Sequence, residues 1–310
     1  MFSNKVKLLY LLAIVAVVLS ACAPAPAAPA ATQPPAATQP PAAPTATSRI
    51  PDATAAIQPG VCLGTAANAI ADLNCKVITI AVENAYPPFN YIVLSTGKPG
   101  GWDYDAWNEI CTRLHCTPNY VEASWEGMIQ AVADGQYDAA ADGITINADR
   151  KQKVDFSMGY VKVDQRLLVR KDETRFASMD DFVKNDKLVM GTQTGTTNYE
   201  TAVKFLPESR VKAFEQFPFA VQAMITGDID AVIMDETAGQ GYLGENSDKV
   251  KLVGPSISGD ELGFIFPKGS ALVASVNQAI QAMNADGTLN KLNEKFFGQN
   301  FKSIESDIKQ

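Results

Sequence analysis

Apolar and polar residues alternate through KVITIAVE, residues 76–83, and β-branched side chains dominate, which predicts a strand. Tyr86-Pro87-Pro88-Phe89 ends it, because proline cannot donate to a ladder. The period then lengthens: in DYDAWNEICTRLHC, Trp107, Ile110 and Leu114 fall on one helical face. PNYVEAS returns to a strand, WEGMIQAVADGQY predicts a helix stopped at Gly135, and YDAAADGITI reads as a buried strand. The order β-α-β-α-β predicts a layered α/β domain.

The pattern then restarts. QRLLVRK predicts a strand, Asp180-Asp181-Phe182 a short helix, and KLVMGTQTGTTNYETAVKFL a strand, a loop and a helix. RVKAFEQF is a strand, and FAVQAMITGDIDAVIMDETAGQGYL gives helix, strand and helix start. ELGFIFPKG closes as one strand before a pair of helices over 271–297. A loose echo links the two units, ADGQYDAAADG against ITGDIDAVIMD.

The N-terminal part breaks this pattern. Lys5 and Lys7 precede an apolar run from Leu8 to Leu19, too short to span a bilayer comfortably, and small residues follow up to Cys22. Residues 1–21 therefore read as an export signal. Leu19-Ser20-Ala21-Cys22 resembles the lipobox of bacterial lipoproteins, which implies that Cys22 is the first mature residue and carries lipid. From Cys22 to residue 60 the chain is almost entirely Ala, Pro, Thr and Gln, without an apolar set to bury in a core. Such a spacer reaches on the order of 100 Å when extended at ~3.1 Å per residue. Losing Lys5 and Lys7 leaves 24 basic residues of the 26 against 34 acidic ones, and the net charge moves from −8 to −10. That balance argues against nucleic acid and anionic lipid headgroups as partners.

Export permits disulfides. Cys62–Cys75 with Cys111–Cys116 is the favoured arrangement, but four cysteines allow three pairings and the sequence does not choose. A metal site is a poor rival, since His115 is the single histidine and no CxxC pair occurs; no metal and no cofactor are expected.

GWDYDAWNEI, WEGMIQAVADGQYDAAADGITINADRKQKVDFS, GTQTGTTNYE, ITGDIDAVIMDE and NADGTLNKLNEKFF occur in an order that resembles bacterial extracellular solute-binding proteins of the polar amino acid type (family 3, type II periplasmic binding fold), in lipoprotein form. The resemblance covers residues 76–298. It implies a two-lobed α/β fold, the capture subunit of an ABC importer, with two crossover strands and a ligand cleft between the lobes. Lobe 1 would be 61–163 plus 261–310, and lobe 2 164–260. The implied partners are an amino acid ligand, a permease, and a membrane reached only through the lipid anchor, with the protein a monomer.

The same resemblance assigns the cleft. Arg150, in NADR with Asn147 where Thr is usual, becomes the clamp for the ligand carboxylate; a planar guanidinium matches a carboxylate bidentately. A surface pair with Asp149 or Asp155 is the plainer reading. Thr196 and Thr197 open a helix whose N–H groups suit an anion, or else they only cap it. A phosphate site is disfavoured, because GTQTGTTN lacks the lysine of a P-loop. Asp235 becomes the partner of the α-ammonium, against a role as N-cap. Tyr86 and Trp125 would sandwich the ligand side chain, against simple core filling; Trp102 and Phe89 read as core. Gly143 and Thr145 join the contact set, and Gln193 adds a hydrogen bond.

Charge then narrows the ligand. Glu83, Asp142 and Asp235 oppose only Arg150. A zwitterion uses Arg150 and Asp235, which leaves two carboxylates that favour a basic side chain. The plainer reading sends Glu83 to water and Asp142 to nearby backbone. The rival functions are a cyclohexadienyl or arogenate dehydratase-like enzyme on the same fold, with Glu83 or Asp142 as acid or base, and a sensor for a partner receptor. The reading adopted is a binding protein and not an enzyme.

Overall fold

A computed structural model describes residues 60–93, 96–244 and 247–298. The expected export signal (residues 1–21), Cys22 and nearly all of the spacer up to residue 60 lie outside these residues, as do residues 299–310 of the expected first lobe.

The strands are β1 (Lys76–Val82), β2 (Ala85–Tyr86), β3 (Asn90–Val93), β4 (Lys98–Gly100), β5 (Cys116–Glu122), β6 (Ala139–Ala140), β7 (Asp155–Phe156), β8 (Val161–Arg170), β9 (Met190–Gln193), β10 (Val211–Phe214), β11 (Ala231–Asp235), β12 (Val250–Val253), β13 (Gly259–Leu262) and β14 (Ile265–Phe266). The helices are α1 (Trp102–Leu114), α2 (Trp125–Ala133), α3 (Ala148–Lys153), α4 (Met179–Lys184), α5 (Thr197–Phe205), α6 (Phe217–Thr226), α7 (Glu236–Leu243), α8 (Leu272–Ala285) and α9 (Thr288–Phe297).

Two lobes form around two sheets. The first sheet has the order β5-β1-β6-β14-β7, with β1 parallel to β5 and β6 and β14 antiparallel to both its neighbours. The second has the order β10-β9-β11-β8-β12, with β9, β10 and β11 parallel and β8 antiparallel to β11 and β12. β8 starts outside that order, where residues Val161–Asp164 pair with β13, and only then enters the second sheet. Strands buried on both faces are expected where helices cover a parallel sheet. All five residues of β11 are buried, as are all four of β9.

Two predicted strands are shorter than expected. Of YDAAADGITI only Ala139–Ala140 stays in the sheet, because Gly143 takes φ 56 and turns the chain away. ELGFIFPKG is not one strand: Leu262 ends β13, Gly263 and Phe264 cross over, and Ile265–Phe266 joins the first sheet. The crossover backbone is held by Gly263 N–H to the Ile144 carbonyl at 3.0 Å and Phe264 N–H to Ser157 Oγ at 3.0 Å. Glu126 and Gly127 leave helical geometry at the start of α2, with Gly127 at φ 89, so Trp125 stands ahead of the regular turns.

The cysteines pair as Cys62–Cys75 and Cys111–Cys116. Trp102 and Phe89 are buried in the first lobe's core; Trp102 stacks on Tyr160 with centroids 4.4 Å apart, and Phe89 packs on Tyr86 at 5.3 Å. Gly101 fastens the β2–β3 hairpin to α1. Its φ is 129, and a Cβ there would lie 2.2 Å from the Phe89 carbonyl oxygen. The next two N–H groups, of Trp102 and Asp103, donate to the Pro88 and Phe89 carbonyls at 2.9 Å each. Gly101→Ala should therefore cost about 1–3 kcal/mol or more of folding stability, read as a lowered urea midpoint.

Candidate functional site

Ligand sites in α/β sheets form outside the carboxyl ends of the strands, and four such ends converge here. Glu83 follows β1, Asp142 comes two residues after β6, Gln193 ends β9 and Asp235 ends β11. With Gly143, Thr145, Arg150, Thr196 and Thr197, and the rings of Tyr86 and Trp125, they line one cavity. The structure thus brings together all eleven residues expected in a cleft, and adds Asn198 and Phe217.

Arg150 is buried, with 8% of its surface exposed, and its backbone is fixed by Asn147, which caps α3 by accepting from Arg150 N–H at 2.8 Å. A surface ion pair does not hold it: Asp155 pairs with Lys268 at 3.0 Å, and among the described residues Arg150 has no carboxylate within ion-pair distance. Its Nη1 donates to the Thr145 carbonyl at 3.1 Å, and its guanidinium carbon lies 5.2 Å from the centre of the Trp125 ring. Burial lowers its pKa, while Glu200, Asp235 and Asp260 attract the charge and oppose that shift.

Asp235 occupies the N-cap position of α7 without capping it. Its carboxylate turns instead into the cavity, where it accepts from Tyr86 Oη at 2.7 Å and Asn198 Nδ2 at 3.1 Å. Burial still pushes its pKa up to about 6 against those two hydrogen bonds. Thr196 does cap α5, accepting from Tyr199 N–H at 3.1 Å, and Thr197 Oγ1 lies 3.3 Å from Thr145 Oγ1.

Glu83 does not point to water. It is 4% exposed and accepts from Gln193 Nε2 at 2.7 Å across the two lobes. Asp142 accepts from Asn90 Nδ2 at 2.7 Å, and the same amide donates to Asp103 at 2.9 Å while its oxygen accepts Asn84 N–H at 2.6 Å. The pKa of Glu83 is raised by burial and then by the Asp142 carboxylate; that of Asp142 is raised by burial against the Asn90 hydrogen bond.

Tyr86 lies between Phe89 and Phe217, with centroids at 5.3 and 5.4 Å. Gly143 allows this, since a Cβ there would sit 2.7 Å from Tyr86 Cε1. The sequence reading overlooked Asn90, Asp103, Asn198 and Phe217. Asn198 alone left a signal: it stands in the first turn of α5, two residues after the capping threonine.

Relatives give this geometry its context. The L-cystine-binding protein TcyJ of Escherichia coli is 29% identical over 223 residues, 71% of this chain and 82% of that protein. The arginine-binding periplasmic protein of Mannheimia haemolytica is 28% identical over 229 residues, 71% of this chain and 90% of that one. Among solved structures, an ancestral arginine-binding protein bound to arginine matches with a TM-score of 0.67 at 31% identity, over 72% of this chain and 98% of that chain. The relatives are binding proteins rather than enzymes. The family model for bacterial extracellular solute-binding proteins, family 3, matches residues 78–299, and this chain belongs to that family.

Proposed function

We propose that this protein is the extracytoplasmic substrate-binding component of an ABC importer for amino acids with a basic side chain. One observation carries the reading: three buried carboxyl groups, Glu83, Asp142 and Asp235, share a cavity with a single guanidinium, Arg150. A zwitterion sets its carboxylate on Arg150 and its ammonium on Asp235. A cationic side chain then enters between Glu83 and Asp142, whose negative charges are costly in a dry cleft without a counter-charge. The arginine-binding relatives support this choice.

The same reading makes residues 61–163 with 261–310 one lobe and 164–260 the other. The paired strands β8 and β13 are then the crossovers about which the lobes close, and the closed form docks on a permease. Lipid on Cys22 would hold the protein at a bacterial membrane, with residues 22–60 as the tether. Cys22→Ser should move the protein from the membrane to the soluble fraction; unchanged fractionation would count against the anchor.

A dehydratase would need a free acid or base aimed at its substrate. Glu83 and Asp142 are instead engaged by Gln193 and Asn90, which suits charge recognition.

Arg150→Ala and Asp235→Ala should each weaken the cognate amino acid by about 2–5 kcal/mol, as for other broken buried charge pairs. Wild-type affinity in both variants, by calorimetry, would dismiss the clamp. Glu83→Gln combined with Asp142→Ser should weaken arginine or lysine far more than glutamine at one salt concentration.

Burial also predicts a pH signature. A carboxyl with a folded pKa above its unfolded value holds more protons when folded, so its contribution to stability is lost as pH rises. For Asp235 this loss runs from the ordinary value of 3.8 through about 6, and Glu83 and Asp142 act in the same direction. The melting temperature of the ligand-free protein should therefore fall over this range. Adding arginine should flatten the fall, and binding should release protons, seen as a buffer-dependent enthalpy in calorimetry.

A further inference from the structure

Away from the cleft, the Cys62–Cys75 disulfide lies against the single histidine of the chain. His115 Nε2 is 3.2 Å from Cys75 Sγ, and His115 Nδ1 is 2.8 Å from Asp72 Oδ1. Asp72 is itself fixed by accepting Asn74 N–H at 2.8 Å. The arrangement is open to solvent: Cys75 and Asp72 are exposed, and Cys62 and His115 are half-buried. The other disulfide, Cys111–Cys116, is fully buried one residue from His115. The backbone here is unusual as well. Asn74, Cys75 and His115 all have positive φ, at 50, 56 and 51. Asparagine and histidine tolerate that region, whereas cysteine has no such allowance.

We infer that Cys62, Cys75, His115 and Asp72 form a thiol–disulfide exchange site for low-molecular-weight thiols. With Asp72 Oδ1 2.8 Å from His115 Nδ1 and Cys75 Sγ 3.2 Å from Nε2, the protonated ring donates to both. A thiolate attacks Cys62 Sγ along the S–S axis. A bond forms between its sulfur and Cys62, the Cys62–Cys75 bond breaks, and the electron pair leaves on Cys75, where the imidazolium supplies the proton. Because a better stabilised leaving sulfur departs faster, the attack is directed to Cys62 rather than Cys75. In reverse, the imidazole takes the proton from the Cys75 thiol, and the thiolate expels the small thiol. A second thiol attacking the mixed disulfide releases a small-molecule disulfide and leaves Cys62 and Cys75 reduced.

The test uses the full chain, oxidised, with reduced glutathione, followed by acid quench, alkylation and mass spectrometry. Glutathione should appear on Cys62 with Cys75 as the free thiol, while Cys111–Cys116 stays closed. His115→Gln should slow adduct formation by about tenfold or more. Adduct mainly on Cys75, or equal rates in wild type and His115→Gln, overturns the inference. If Cys111–Cys116 also opens in His115→Gln, that variant has lost its fold and Asp72→Asn decides. The ring is then still present, and a slowed reaction supports the site while an unchanged rate overturns it.

Discussion

Taking carboxyl groups out of water without a cation beside them is the constraint around which this molecule is arranged. Each of the three in the cleft is held by neutral donors: Gln193 on Glu83, Asn90 on Asp142, Tyr86 and Asn198 on Asp235. Neutral hydrogen bonds stabilise a carboxyl group without cancelling its charge, so the upward pKa shifts persist. Two of these bonds, Gln193 to Glu83 and Tyr86 to Asp235, join the first lobe to the second. On the proposed function, the polar groups that would meet a ligand therefore also latch the lobes together. A ligand that takes over their partners exchanges one set of latches for a stronger one.

The backbone makes this density of charge attainable. Parallel strands end at the cleft, so each delivers a side chain to the same space from its last residue or from the turn just after it. Gly143 lets the Tyr86 ring lie flat against the loop that carries Asp142, and the ring in turn aims its hydroxyl at Asp235. The aromatic stack of Phe89, Tyr86 and Phe217 is thus part of the electrostatic arrangement, because it fixes the donor's direction.

Much of this was legible in the sequence. The longer strands and helices followed from periodicity, whereas β2, β3, β4, α3, β7 and β12 did not, and the eleven candidate residues that line one cavity came from separate motifs in a familiar order. Periodicity failed where the chain serves two sheets. YDAAADGITI and ELGFIFPKG are apolar enough to be strands throughout, yet a positive φ at Gly143 and the crossover at Gly263 cut both short, and neither event alters hydropathy. Asn90 and Asp103 escaped for a different reason. Asn90 reaches Asp142 across 52 residues of chain and Asp103 across 13, and no local pattern marks an amide that will bridge two acids.

The strand order carries a consequence for synthesis. In the first sheet β14 sits between β6 and β7, and it is the last strand among the described residues. Until residue 266 has emerged, β7 has no partner among the described strands of its sheet, and the segment just before it, which carries Arg150, is held by its own cap at Asn147 and by Trp125 but not through β7. The second sheet needs nothing beyond residue 253. An emerging chain can therefore complete the second sheet first, while the first sheet stays open at β7 until β14 is made.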